Sequence, residues 1–319
     1  MTLRPLIRIA EPEGFSAAAL DVLRTAGEVV LEPCAAATLP EVFASCDVFW
    51  FRLGHRIDGA TLGDRPRCRI IACPVTGLDH IDLEACRARD VRVVSLRGET
   101  AFLDNVRATA ELTIGLALAL LRQIPSAAAA VRAGAWNRDD FRGKELCDRR
   151  VGVVGVGRLG RIVTRYLQAF GAHTVGYDPR PDFPRDLLER KPTLEALLED
   201  VELVTLHVSY EPATRHLIDA MALSHMRPGS HLINTSRGGL IDEVALLAAL
   251  ESGMLAGAAL DVLEGEPQIG LEHPLLEFAR REPARLIIVP HIGGNTFESF
   301  DKVERFVAER VARALSESA

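Results

Sequence analysis

The stretch Val151–Gly160, VGVVGVGRLG, decides how this chain is read. A four-residue apolar strand pattern, Val151–Val154, runs directly into Gly155, Gly157 and Gly160, which fit G-x-G-x-x-G, and a helical pattern follows at once. The spacing has a physical reason. Gly155 permits a tight turn, Gly157 lets the backbone approach a pyrophosphate, and Gly160 lets the helix pack close to the strand. The N–H groups of the first helical turn, through Arg158, Leu159 and Gly160, then point their positive end at phosphate oxygens. The next strand pattern, HTVGYD, ends in Asp178, eighteen residues beyond Gly160. A carboxylate there accepts hydrogen bonds from the adenosine ribose hydroxyls and repels a 2′-phosphate, so NAD is expected over NADP. Arg180, two residues on, is the counter-signal, because an arginine pairs with that phosphate.

Outward from this turn, strand and helix signals alternate along nearly the whole chain. Before it, β-rich runs lie at Leu6–Ala10, Glu28–Leu31, Asp47–Leu53, Arg69–Cys73 and Val91–Leu96, with helical spacing at Ser16–Ala26 and Leu83–Arg89. After it, strands are expected at Val151–Val154, His173–Tyr177, Leu203–His207, His231–Asn234, Gly257–Leu260 and Leu286–Val289. Helices are expected at Leu159–Phe170, Leu194–Leu198, Glu243–Glu251 and Glu298–Ser316. Such alternation implies an α/β protein with mainly parallel sheets covered by helices on both faces. Between the two series, a helix that is apolar almost all round is expected to open at Asn105, as N-cap, and to run buried through Leu121. Residues 122–150 read as a short helix, Ser126–Ala133, and a polar arm carrying Trp136 and Phe141, expected to form a subunit contact in a homodimer.

Composition bounds the function classes. A chain of 319 residues that is 48% hydrophobic and 25% charged builds a substantial core, about two domains' worth. A net charge of −7 argues against a broad surface for nucleic acid or anionic membrane, so an anionic ligand must be met by local arginines. The cysteines (Cys34, Cys46, Cys68, Cys73, Cys86 and Cys147) show neither C-x-x-C nor zinc-finger spacing, so no metal is expected, and reduced thiols in a cytoplasmic protein are. The N-terminus lacks the apolar core of a signal peptide. With lysine only at 144, 191 and 302, and without G-x-x-x-x-G-K-[ST], H-E-x-x-H or G-x-S-x-G, other nucleotide and hydrolase schemes find no support.

Three later segments lie at or just past strand ends, where ligands bind in such sheets: INTSRGGLID (233–242), ALDVLEGEP (259–267) and VPHIGGNT (289–296). Together with the glycine turn, their order and spacing resemble the D-isomer-specific 2-hydroxyacid dehydrogenases. That resemblance implies Arg237 as the substrate-binding arginine, Glu266 as the acid paired with the catalytic histidine, and His291 as the general acid/base. The chemistry agrees with the residue types. Oxidising a 2-hydroxy acid removes a hydroxyl proton as hydride leaves the same carbon, and histidine exchanges protons near neutral pH. A neighbouring carboxylate orients the ring, and an arginine binds a carboxylate bidentately.

The resemblance further implies a discontinuous flavodoxin-like substrate domain (residues 1–98 plus 297–319) and a Rossmann NAD-binding domain (residues 99–296, with the arm at 122–150), the substrate lying in a cleft between them. It puts Asp261 on the nicotinamide carboxamide, and His207, Val208, Thr214, Thr235, Ser236 and Gly293 against the dinucleotide. Backbone N–H groups at Thr76 and Gly77 are to bind the substrate carboxylate, with Asn105 nearby. The run FRLGHR (51–56) resembles a loop that supplies a substrate arginine in phosphoglycerate dehydrogenases, which makes Arg52 a substrate contact and Arg52, His55 and Arg56 partners for a phosphate or second carboxylate. Two departures stand out: Ser209 follows His207–Val208 where proline is common, and Leu263 replaces a commonly aromatic residue. The chain ends soon after its last helix, so feedback through an appended domain is not expected. The expected function is hydride transfer between NAD and C2 of a small D-2-hydroxy or 2-oxo acid, phosphorylated or not. A phosphite- or phosphonate-type substrate and an NADH-sensing corepressor-like scaffold are the alternatives, whereas a formate-type reaction fits Glu266 poorly.

Overall fold

A computed structural model describes residues 4–317 and divides the chain into two compact units, residues 1–106 with 295–319, and residues 107–294. The division falls at 106/107 and 294/295, where the sequence suggested 98/99 and 296/297. The displacement has a local cause. Residues after 98 form a short helix, Thr100–Leu103, whose Leu103 packs in the first unit's core, and the long helix begins only at Ala108.

The first unit holds five parallel strands: β1 (Leu6–Ile9), β2 (Glu28–Leu31), β3 (Val48–Trp50), β4 (Ile70–Cys73) and β5 (Arg92–Ser95). Their order, β2-β1-β3-β4-β5, is that of the flavodoxin-like doubly wound sheet. Strands β3 and β4 are buried on both faces, and their sequences VFW and IIAC show it as continuous apolar runs. Helix Ala17–Ala26, capped by the Ser16 hydroxyl accepting from Ala19 N–H, and the C-terminal helix Phe297–Glu317 cover one face through Leu23, Val303, Val307 and Val311. Phe43, Phe49 and Phe51 fill the other face with Leu39, Leu62 and Ile71.

The second unit holds seven parallel strands: β6 (Arg150–Val154), β7 (His173–Tyr177), β8 (Glu189–Arg190), β9 (Leu203–Leu206), β10 (Ser230–Asn234), β11 (Leu255–Leu260) and β12 (Leu286–Ile288). Their order is β12-β11-β10-β9-β6-β7-β8. Chain order runs outward in one direction from β6 and in the other from β9, so the winding reverses between these two strands. Such a switch point opens a crevice beyond the carboxyl ends of the strands. Helix Ala108–Leu121 buries Ile114, Ala117 and Leu120 against this sheet, and helix Arg158–Ala169 buries Ile162, Val163 and Leu167. Asn105 does not cap the long helix: Arg107 occupies the N-cap with no capping hydrogen bond from its side chain, and Asn105 is exposed on the preceding turn. Among the described residues no single helix is long and apolar enough to cross a membrane.

Candidate functional site

Six loops leave the carboxyl ends of β6, β7, β9, β10, β11 and β12, and every catalytic or cofactor residue expected in the second unit lies on one of them or on the helix that follows β6. At β6, Gly155 has φ of +86°, and a Cβ there would lie 2.5 Å from the carbonyl oxygen of His207 at the end of β9. A Cβ on Gly160 would lie 2.1 Å from the Gly155 carbonyl oxygen. No side chain fits at either position, so the turn stays narrow and helix Arg158–Ala169 starts hard against it. Gly157 is the N-cap of that helix and has no side chain to occupy the space in front of its first N–H groups. The turn is therefore a cradle for a phosphate-bearing group, which is the fit test a dinucleotide has to pass.

Asp178, at the end of β7, is 4% exposed. One of its oxygens accepts from Val156 N–H at 2.9 Å and thereby fixes the glycine turn. Arg180 folds back on it, Nε donating to Oδ1 at 3.0 Å and Nη2 to Oδ2 at 2.7 Å. Burial opposes ionisation, but the Arg180 fork and the N–H bonds outweigh it and hold the carboxyl below its ordinary value. An arginine so engaged is not presented to a 2′-phosphate, which removes the counter-signal to NAD.

His207 lies under the turn. Its Nε2 is 3.0 Å from Thr205 Oγ1, its Nδ1 is buried without a partner, and burial pushes its pKa down to about 3. It stays neutral, and its backbone carbonyl is the part that meets Gly155. Val208 is half-buried beside it. Thr214 closes a capping box with Glu211, its hydroxyl donating to Ser209 O and Glu211 O, so it shapes the loop after β9. Thr235 is 5% exposed, and its hydroxyl pairs with Thr113 Oγ1 at 2.8 Å on the long helix. Ser236 donates to Leu206 O at 2.8 Å, which ties the β10 loop to β9.

Arg237 sits on that β10 loop in extended backbone, half-buried, with Nη1 donating to Ser236 O at 2.8 Å. Two features that the sequence reading did not single out hold it there. Asn234 accepts from Ser236 N–H and donates to Arg237 O at 2.8 Å, an Asx turn that an asparagine at a strand end already signals. Gly238 and Gly239 press so closely on Leu263–Glu264 and on the Tyr210 ring that a Cβ at either would clash.

The β11 and β12 loops bring the histidine to its acid. His291 Nδ1 lies 2.8 Å from Glu266 Oε1, both side chains being about a quarter exposed. His291 holds φ of +52°, a conformation unusual for a residue with a side chain, and its N–H donates to Asp261 O at 2.7 Å. The next two amides, of Ile292 and Gly293, donate to Asp261 Oδ1 at 2.6 Å and Oδ2 at 2.8 Å. Asp261 was expected on the nicotinamide carboxamide. Both its oxygens hold the histidine loop, and burial pushes its carboxyl above the ordinary range despite those N–H bonds. Gly293 has no room for a Cβ, which would lie 2.8 Å from Asp261 Oδ2.

In the first unit, Thr76 and Gly77 follow β4, and among the described residues no backbone acceptor meets either N–H. Asn105 is exposed, and its carbonyl accepts from Lys302 Nζ at 3.3 Å. Arg52 follows β3 but is not presented as a simple cation. Its Nε and Nη2 donate to Glu304 Oε1 at 2.9 and 2.6 Å, and its Nη1 donates to Glu13 O at 3.2 Å. Glu304 was not anticipated. The sequence signal was there, as a carboxylate set among Val303, Val307 and Ala308 on the buried face of the last helix. His55 is 9% exposed between Phe49 and Phe51, and burial lowers its pKa.

A parallel sheet with its glycine turn at the switch point, a buried aspartate at the end of the next strand and a histidine–glutamate pair define a dinucleotide-binding protein. Comparison with known proteins narrows this. Residues 114–293 match the model of the D-isomer specific 2-hydroxyacid dehydrogenase NAD binding domain, and the chain belongs to that family, with NAD as its coenzyme. It is 37% identical over 282 residues to D-3-phosphoglycerate dehydrogenase of Mycobacterium leprae, covering 88% of this chain and 50% of the relative. It is 33% identical over 316 residues to D-3-phosphoglycerate dehydrogenase of Methanocaldococcus jannaschii, covering 97% and 58%. The chain thus spans about half the length of the curated relatives it matches. Among solved structures, the TT0316 protein of Thermus thermophilus superposes with a TM-score of 0.83 at 32% identity, over 98% of this chain and 97% of that one.

Proposed function

We propose that this chain reduces a small 2-oxo acid to the D-2-hydroxy acid, and runs the reverse oxidation, with NAD as hydride carrier. The observation that carries the proposal is the 2.8 Å contact between His291 Nδ1 and Glu266. It stands on the same sheet edge as Arg237 and the glycine turn. With Nδ1–H directed to the carboxylate, Nε2 is the nitrogen that gives a proton to the substrate carbonyl oxygen, or takes one from the hydroxyl. Glu266 favours the imidazolium that forms when the hydroxyl proton is taken. Arg237 binds the substrate carboxylate and draws the 2-oxo oxygen into line. Gly155, Gly157, Gly160 and Asp178 hold the dinucleotide, with Val208, Thr214, Ser236 and Gly293 shaping the loops around it. When bound, its reduced nicotinamide supplies the hydride to C2. Asp261 acts through the loop it clamps.

The six cysteines are free and four are buried, in keeping with a reducing, cytoplasmic setting. The arm at 122–150 leaves Ile124, Val131 and Trp136 between half and nine-tenths exposed, which supports its assignment to a homodimer contact. The test of function is NADH consumption followed at 340 nm with glyoxylate, pyruvate and hydroxypyruvate. Turnover of at least one is expected. Tight NADH binding with no turnover of any 2-oxo acid would instead describe a sensing scaffold.

A further inference from the structure

Within the second unit, the loop after β11 carries another acid, Glu264, whose contacts tie together the loops after β9, β10 and β11. Its Oε1 accepts from Arg215 Nη2 at 3.0 Å, and its Oε2 lies 3.2 Å from His216 Nε2. Both partners belong to the loop after β9. His216 holds φ of +52°, uncommon for a residue with a side chain, and its N–H donates at 2.8 Å to Gly239 O, on the loop that bears Arg237. The Glu264 backbone is held as well: its N–H donates at 2.8 Å to Glu243 Oε1, on the first residue of helix Glu243–Glu251. The other Glu243 oxygen lies 3.1 Å from Nε2 of His273, the residue that precedes helix Pro274–Arg281, and both side chains are largely buried. Burial opposes ionisation of Glu264, but His216 and Arg215 outweigh it and hold its carboxyl below the ordinary value.

Only Gly265 separates Glu264 from Glu266, so this clasp ends one residue short of the acid that meets His291. We infer that Glu264 and Glu243 are positioning residues for the proton transfer: one by its side chain, the other by gripping the Glu264 N–H, they fix the loop after β11 and so keep Glu266 on His291. The inference rests on the dehydrogenase reading and deepens it. Stability alone does not account for the arrangement. Arg215 and Glu264 are both partly open to solvent, and such pairs contribute little to the stability of the whole fold. Their effect is local. A misplacement of about 1 Å at a reacting group costs about 10²-fold in rate, and a short loop tied at its neighbour by three side chains is protected from it.

The test is steady-state reduction of hydroxypyruvate by Glu264→Ala, Glu243→Ala and Glu243→Gln, with the NADH dissociation constant measured on each. Glutamine at 243 keeps an oxygen for the Glu264 N–H and turns an amide N–H to a neutral His273. Each alanine variant is expected to lower kcat about tenfold with NADH affinity changed less than about threefold, whereas Glu243→Gln stays within about threefold of the wild type. In a Glu266→Ala background, Glu264→Ala should change kcat by less than about threefold, because the group it positions is gone. Wild-type kcat in Glu264→Ala overturns the inference, and this variant alters a partly exposed side chain, so the result does not depend on Glu243→Ala folding. A full tenfold loss in the Glu266→Ala background also overturns it, as does NADH affinity that falls as far as kcat, or Glu243→Gln as slow as Glu243→Ala. Failure of the wild type to reduce any 2-oxo acid is a different result, which removes the dehydrogenase reading and the inference with it.

Discussion

His291 shows how much local structure holds the side chain proposed to transfer the proton. Its positive φ, the three N–H bonds to Asp261 and the Glu266 contact fix the ring from three sides. A ring so fixed is preorganised for proton transfer, which contributes about 10²–10⁴ in rate. His291→Ala is therefore expected to lower kcat by that factor while the NADH dissociation constant, read by fluorescence titration, changes less than threefold. Loss of NADH binding would place His291 in the cofactor cradle instead. The residue types and spacing of Arg237, Glu266 and His291 were legible because each sits in a strand-end segment of distinctive composition. The backbone partners of Asp261 were not legible: a sequence shows an aspartate at a strand end, not which amides fold back onto it. The partner of Arg52 was illegible for the same reason, since it lies 252 residues away on the last helix.

At the scale of the element, the glycine turn and helix Arg158–Ala169 form one unit, and its tolerance is set by a single distance. A Cβ at position 160 would meet a backbone oxygen at 2.1 Å, an overlap that only movement of the helix or the turn can relieve. Gly160→Ala is expected to weaken NADH binding at least tenfold while leaving far-ultraviolet circular dichroism unchanged; wild-type affinity would show that the turn is not the cradle. Strand positions were readable where parallel strands buried on both faces appear as near-continuous apolar runs, so Val151–Val154 and Leu203–Leu206 fall where their composition puts them. Two kinds of element were not readable. The two-residue strand Glu189–Arg190 has no periodicity to detect. The start of the long helix was placed at Asn105 on capping preference, whereas the chain makes an extra turn there and begins the helix at Ala108, after Arg107 as an N-cap with no side-chain capping bond.

At the scale of the molecule, buried histidines set the acid limit of stability. His231 in β10 is 6% exposed, and burial, reinforced by Lys144 and Arg149, pushes its pKa down to about 4; His207 falls to about 3. Unfolded histidines titrate near 6.5, so between that pH and about 4 the unfolded chain binds more protons than the folded one. Stability therefore falls as pH drops through this window, by up to roughly 1.4 kcal/mol per pH unit for each histidine. The midpoint of thermal unfolding should decline from pH 6.5 to 4.5, with a shallower slope in His231→Leu; a flat profile in the wild type would contradict the assignment. The exposed apolar arm makes a second prediction at this scale. Light scattering should report a dimer, and Trp136→Glu combined with Ile124→Glu should give a monomer, whereas a monomeric wild type would leave the arm without that role. The claim on which all else depends is hydride delivery to C2 of a 2-oxo acid, and isotope transfer reads it directly. NADH deuterated at the transferable C4 position, incubated with the protein and hydroxypyruvate, should give glycerate carrying one deuterium at C2, of D configuration only. Unlabelled or racemic product, or NADH that stays bound and unreacted, would contradict the account.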